Sequence, residues 1–139
     1  MEGSTREEIH TDRAPAAVGP YAQAVAAGGF VYTAGQIGLD PETGELAGPG
    51  LEAQARQAMD NLEAVLAAAD LGMDDVVKTT IFLTDMDAFG TVNEIYGDRL
   101  RAPYPARSTV EVPRLPMDAL VEIEAVARRP EAAGGPASG

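Results

Sequence analysis

Two residues with the means to do chemistry stand on apolar strands near the end of the chain. Residues 104–127 read YPARSTVEVPRLPMDALVEIEAVA. The spacing predicts a strand over 106–112, with Arg107, Thr109 and Glu111 on one face and Ala106, Ser108, Val110 and Val112 on the other. A proline-bounded turn leads to a second strand over 119–127. There Ala119, Val121, Ile123, Ala125 and Ala127 share one face, and Leu120, Glu122, Glu124 and Val126 share the other. An arginine and a glutamate on neighbouring apolar strands are costly to desolvate unless something compensates them. Spacing alone favours a structural ion pair. The sharper reading is a pocket in which Arg107 grips a carboxylate and Glu122 handles a proton or a water.

These two strands need a scaffold. Residues 6–11 suggest a short edge strand around Ile9, and 22–27 a second. Gly28-Gly29 signals a hairpin turn into a strand over 30–37, FVYTAGQI. Gly35 inside that run marks a bulge, a packing contact or a close ligand approach. Residues 40–50 form a Pro- and Gly-rich loop. The clearest helix covers 51–69, with Ala55, Ala58, Met59, Leu62, Val65, Leu66 and Ala69 in one apolar stripe. A Glu52–Arg56 pair supports its outer side, and Gly72 is the expected C-cap. The β-branched run 76–83 predicts a central strand. Asp85 or Asp87 caps a second helix reaching about Asp98, on which Phe89, Val92 and Tyr96 keep helical spacing. Asn93 lies beside them, as a half-buried structural residue or as part of a site. The sum is one α+β domain over 1–130, two helices covering one face of a mixed sheet. The other face remains apolar enough to call for a second copy of the chain. Residues 1–5 read as a frayed terminus, and 131–139 as a disordered Pro, Gly and Ala tail.

Composition narrows the chemistry. The 139 residues carry net charge -12, so phosphate backbones are repelled unless a local basic patch intervenes. There are no cysteines, which excludes thiolate catalysis and disulfides. His10 is the single histidine, which leaves no histidine-based metal site and reads as an exposed strand end. No apolar run approaches a membrane span and the acidic N-terminus is no signal peptide, so the expected location is cytoplasmic.

An ordered set of motifs then resembles a known family. APAAVGPYAQAV at 14–25, AGQIGLDPETGE at 34–45, QARQAMDNLEAVLAAA at 54–69 and DDVVKTTIFLTDMDAFGTVNEIY at 74–96 precede PARSTVEVPRLP at 105–116 and VEIEAVA at 121–127. Together they resemble the reactive intermediate deaminase family, also called Rid or YjgF, over nearly all of residues 12–128. The resemblance implies a chorismate-mutase-like fold with a six-stranded mixed sheet. It implies a homotrimer with a central barrel and sites between subunits. It implies cofactor-independent hydrolysis of 2-imino and 2-enamino acids to 2-keto acids and ammonia. Arg107 matches the arginine that holds the substrate carboxylate, for which a planar, permanently charged fork is suited. Glu122 matches the glutamate that positions water or relays a proton, and Tyr21 the aromatic wall. Asn93 matches an asparagine near the cleft, and the Gly35 N–H the neighbourhood of the carboxylate. Two residues depart from the common pattern. Ala34 stands where many members have serine, and Thr109 where many have cysteine. Thr109 keeps a small donor and acceptor in the carboxylate corner but no thiol chemistry; Ala34 bears on substrate range or rate. An imine carbon is already electrophilic when protonated, so an arginine and one carboxylate suffice. Two other functions compete: a non-catalytic module that binds small 2-keto acids or stabilises partner proteins, and a ribonuclease or translation inhibitor, which the acidic charge opposes.

Overall fold

The computed structural model describes residues 5–130. The expected tail at 131–139 and most of the expected frayed N-terminus lie outside them. Strands β1 (Glu7–Ile9), β2 (Ala24–Ala27), β3 (Phe30–Thr33) and β4 (Gln36–Ile37) come first. Helix α1 (Leu51–Ala68), strand β5 (Val76–Leu83), helix α2 (Phe89–Gly97) and strands β6 (Ala106–Glu111) and β7 (Val121–Arg128) follow. The sheet runs β1-β2-β3-β7-β5-β6, with β4 also paired to β7. All pairs are antiparallel except β5 with β6, so the sheet is mixed as expected.

The strand expected over 30–37 is two segments in one row of the sheet, which gives seven strands rather than six. Tyr32 pairs with Val126 and Gln36 with Ile123. Four residues on one side therefore span three on the other, a bulge at Ala34-Gly35. Thr33 Oγ1 accepts the Ala125 N–H at 3.0 Å and closes the gap in the ladder. Strand β7 is central, flanked by β3 and β4 on one side and β5 on the other. It alternates as its sequence predicts: Val121, Ile123, Ala125 and Ala127 are buried under the helices, with Ile81 and Leu83 of β5 beside them. Helix α1 seals that face with Met59, Leu62, Val65 and Leu66, all fully buried.

Helix ends follow local chemistry with one correction. Asp85 accepts the Asp87 N–H at 2.9 Å and opens a 3₁₀ turn (Met86–Ala88) that runs into α2. Gly72 does not cap α1. Asp70 takes the left-handed conformation after the helix (φ 62°), while Gly72 is extended two residues on. An aspartate tolerates that region better than most side chains. The expected Glu52–Arg56 pair forms at 3.1 Å, and His10 is an exposed strand-end residue bonded to Asp12. At the other end, Arg129 N donates to Gly29 O at 2.9 Å, so ordered pairing continues past the expected end at Ala127. No helix among the described residues is long and apolar enough to cross a membrane.

Helix α1 docks by backbone approach. A Cβ on Gly38 would lie 2.3 Å from the Gln54 carbonyl oxygen. Backbone cannot swing aside as a side-chain tip can, so Gly38→Ala is expected to lower stability by about 1–3 kcal/mol. A urea midpoint shifted down at unchanged slope is the measurement, and an unchanged midpoint contradicts this account of docking.

Candidate active site

Arg107 sits on β6 with its side chain on the helix-covered face, because it pairs with Thr79, whose side chain is fully buried there. Helix α2 presents Phe89, Asn93 and Tyr96 to it from a single side, positions i, i+4 and i+7. The guanidinium carbon stands 5.3 Å from the Phe89 ring centre and 5.0 Å from the Tyr96 ring centre. Both are cation–π distances, and the rings hold the fork in place. Arg107 Nη1 donates to Asn93 Oδ1 at 2.6 Å. The Tyr96 hydroxyl is 2.7 Å from Thr79 Oγ1. Burial pushes the Tyr96 phenol up, against the opposing pulls of the Thr79 bond and the Arg107 charge, so it stays protonated at neutral pH. Asn93, Tyr96, Tyr104, Pro105 and Arg107 line a cleft of about 470 Å³.

Thr109 follows on the same face of β6. Its Oγ1 is buried without a hydrogen-bond partner among the described residues. A buried hydroxyl left unpaired is unfavourable by about 1–3 kcal/mol, so a ligand atom that supplies the missing bond gains that much in return. Next to a rigidly held guanidinium, an oxyanion is the fitting partner.

Glu122 is elsewhere. It lies on the opposite face of the sheet, among Glu124, Val126, Lys78, Thr80 and Phe82. Strand β5 separates β7 from β6, so the two strands are not neighbours. Through the Thr79 register, Arg107 is level with Ala125. Glu122 is thus roughly 10 Å across the sheet, roughly 10 Å along it and on the far side. The ion pair that spacing favours is absent: Arg107 bonds Asn93, and the Glu122 side chain bonds none of the described residues. Burial, and next the like charge of Glu124, raise the Glu122 carboxyl above the ordinary carboxylate range.

Gly35 is what lets Glu122 take its place. A Cβ there would come within 2.0 Å of Glu122 Oε2. Of the three readings of this glycine, bulge and packing hold together: it sits in the bulge, and its close contact is the carboxylate. Since that carboxylate ends a flexible side chain, Gly35→Ala is expected to displace Glu122 with little loss of stability. In the catalytic role expected of Glu122, that displacement should lower turnover at least tenfold, measured against a folded control. Tyr21 and Gly35 line a second cavity of about 460 Å³ with Ile37, Leu39, Pro116 and Met117. One chain therefore holds the expected site residues as two separate groups. Arg107 and Asn93 are bonded to each other, with Thr109 next on the same face of β6. Tyr21 and Gly35 line the second cavity, and Gly35 stands against Glu122. The aromatic clamp of Phe89 and Tyr96 was not anticipated; their shared helix side with Asn93 was the signal.

No group of His, Cys, Asp and Glu among the described residues is arranged to hold a metal ion. The model of the family described as endoribonuclease L-PSP matches residues 11–129. A RutC family protein of Synechocystis sp. is 56% identical over 128 residues, covering 91% of this chain and 98% of that protein. The 2-iminobutanoate/2-iminopropanoate deaminase of Mus musculus is 47% identical, over 91% of this chain and 94% of its own. Among solved structures, Escherichia coli TdcF with bound serine superposes with a TM-score of 0.84 at 46% identity, over 89% of this chain and 99% of the other. RidA from an Antarctic Psychrobacter sp. gives 0.85 at 48% identity, over 88% and 98%.

Proposed function

This chain belongs to the reactive intermediate deaminase family, the one its matching model describes as endoribonuclease L-PSP, and from that premise we propose that it hydrolyses 2-imino and 2-enamino acids to 2-keto acids and ammonia. The observation that carries the proposal is the Arg107 corner. A guanidinium clamped by two rings and an amide, beside an unpaired buried hydroxyl, is a carboxylate receptor. The related TdcF structure holds serine, a small ligand with the same carboxylate.

Arg107 takes the substrate carboxylate in two parallel hydrogen bonds, and Thr109 Oγ1 donates a third. Glu122, ionised, takes a proton from water as the water oxygen bonds to C2 of the protonated imine and the C=N π electrons move to nitrogen. The resulting carbinolamine carries hydroxyl and amine on one carbon. Glu122 returns its proton to that nitrogen and then takes the hydroxyl proton as C2=O forms and the C–N bond breaks, ammonia leaving with the electron pair. The carboxyl passes this last proton to the departing ammonia and is ionised again. An enamine first accepts a solvent proton at C3 and becomes the protonated imine. No net redox change occurs.

Arg107 and Glu122 of one chain cannot share a substrate, being on opposite faces of one sheet. The proposal therefore includes assembly: a homotrimer in which the Arg107 half-site of one subunit meets the Glu122 half-site of the next. The exposed sheet face bearing Tyr32, Phe82, Val110 and Val126 is the apolar surface available for that contact. Nuclease chemistry finds little support, since the net charge is -12 and the one histidine is exposed and bonded to Asp12.

The direct test generates 2-aminoacrylate or 2-iminobutanoate in situ and times its loss with and without the protein. Unchanged decay in the presence of folded protein defeats the proposal. The pH profile adds a second test. A general base must be ionised, so kcat/KM should rise with pH through the Glu122 pKa, above the ordinary carboxylate range. Glu124→Gln removes the like charge but not the burial, so the rising limb should move to lower pH while staying above that of a free glutamate. An unmoved limb would show that another group sets it.

A further inference from the structure

Two side-chain hydrogen bonds among the described residues join helix α2 to the sheet. One runs from Arg107 to Asn93, is made by the residue that receives the carboxylate, and lies open to solvent. The other joins the Tyr96 hydroxyl to Thr79 Oγ1 at 2.7 Å, where Thr79 has no exposed surface and Tyr96 only 6%. Packing does not require that second bond. A phenylalanine beside a valine has nearly the same shape, and exchanging both partners of a buried pair for apolar groups is close to neutral for stability. What the hydroxyls add is direction, since a hydrogen bond fixes where the ring stands and an apolar contact does not.

The ring so fixed bears on the working end of Arg107. Its centre is 5.0 Å from the guanidinium carbon, and Thr79 is the residue of β5 that pairs with Arg107 of β6. The contacts close a circuit: strand pairing joins Arg107 to Thr79, the hydroxyls join Thr79 to Tyr96, and the ring face returns to Arg107. Phe89, the other ring of the clamp, has no such tether. It is 39% exposed and carries no polar atom. Of the two jaws, Tyr96 is the fixed one. An arginine left free must lose rotamer freedom when it takes a ligand, and that loss weakens binding.

We propose that Thr79 and Tyr96 are positioning residues: their buried hydrogen bond sets the Tyr96 ring, and through it the plane of the Arg107 guanidinium, before a carboxylate arrives. The inference rests on the carboxylate-receptor reading of Arg107 and adds the part that holds the receptor ready. Neither hydroxyl is asked to touch substrate. Because the bond is buried, it persists when a ligand competes with Asn93 for Arg107, and the ring keeps its place through the exchange.

The test is calorimetric binding of 2-oxobutanoate, beside urea midpoints, for Thr79→Val, Tyr96→Phe, the two combined, and Thr79→Ser. Each of the first two orphans one buried hydroxyl, so midpoint and affinity should both fall, the affinity by about three- to tenfold. The double variant separates position from satisfaction. It orphans no hydroxyl, so its midpoint should return toward the parent value, while the tether is still missing and its affinity should stay low. Thr79→Ser keeps the hydroxyl, and its affinity should remain within about twofold of the parent's. If affinity recovers with the midpoint in the double variant, or the folded single variants bind as the parent does, the pair serves stability alone and the inference is overturned. Binding that is lost in Arg107→Ala but unmoved by these variants leaves the receptor reading standing. If the folded parent binds no 2-oxobutanoate, both fall together. Where a single variant fails to fold, the double variant and Thr79→Ser, which leave no hydroxyl buried alone, decide the question between them.

Discussion

Arg107→Ala is expected to reduce kcat/KM for imine hydrolysis by roughly 30- to 1000-fold. A bidentate, charge-assisted contact to a desolvated carboxylate contributes on the order of 2–4 kcal/mol, and each 1.4 kcal/mol is a factor of ten. Arg107→Lys should recover little. An ammonium offers one point of charge where the rings of Phe89 and Tyr96 are spaced for a planar fork. Glu122→Gln should behave differently, because the amide keeps the shape and loses the proton acceptor. Binding of 2-keto acid should survive in Glu122→Gln and weaken in Arg107→Ala, whereas single-turnover hydrolysis should be slow in both. If both folded variants turn over at the parent rate, neither residue is catalytic.

Co-refolding those two impaired variants should restore activity. In a homotrimer with sites between subunits, a site is whole when its Arg107 comes from a Glu122→Gln chain and its Glu122 from an Arg107→Ala chain. Random assembly of equal amounts makes about a quarter of the sites whole. Each variant alone has none, so the recovery stands far above either background. The mixture is measured after co-refolding and again after simple mixing of the folded variants, which should recover only as fast as subunits exchange. A co-refolded mixture no better than the mean of its parts contradicts shared sites. A concentration-independent monomer in sedimentation contradicts the assembly itself. The topology makes this experiment sharp, because Arg107 and Glu122 sit on opposite faces with β5 between them.

Much of this was legible along the chain. Alternation placed Arg107 and Thr109 together on one face of β6 and Glu122 with Glu124 on the far face of β7, and the burial pattern agrees. The apolar stripe of α1, the Asp85 cap, the β5 run and the bulge at Gly35 are likewise local signals, written within a few residues of where they act. The ordered motifs pointed to the family. Other features were decided only in three dimensions. That β5 lies between β6 and β7 depends on pairing between segments some 40 residues apart in sequence, which periodicity does not encode. The same holds for the clamp on Arg107, where a helix face and a strand face meet across the sheet. It holds for Gly35, whose nearest atoms belong to Glu122, and for Thr109, whose buried hydroxyl is left unpaired among the described residues. Sequence spacing states which way a side chain faces within its own element. Which strand stands beside it, and what meets it there, is settled by how the elements pack to bury their apolar faces, and that is a property of the whole chain.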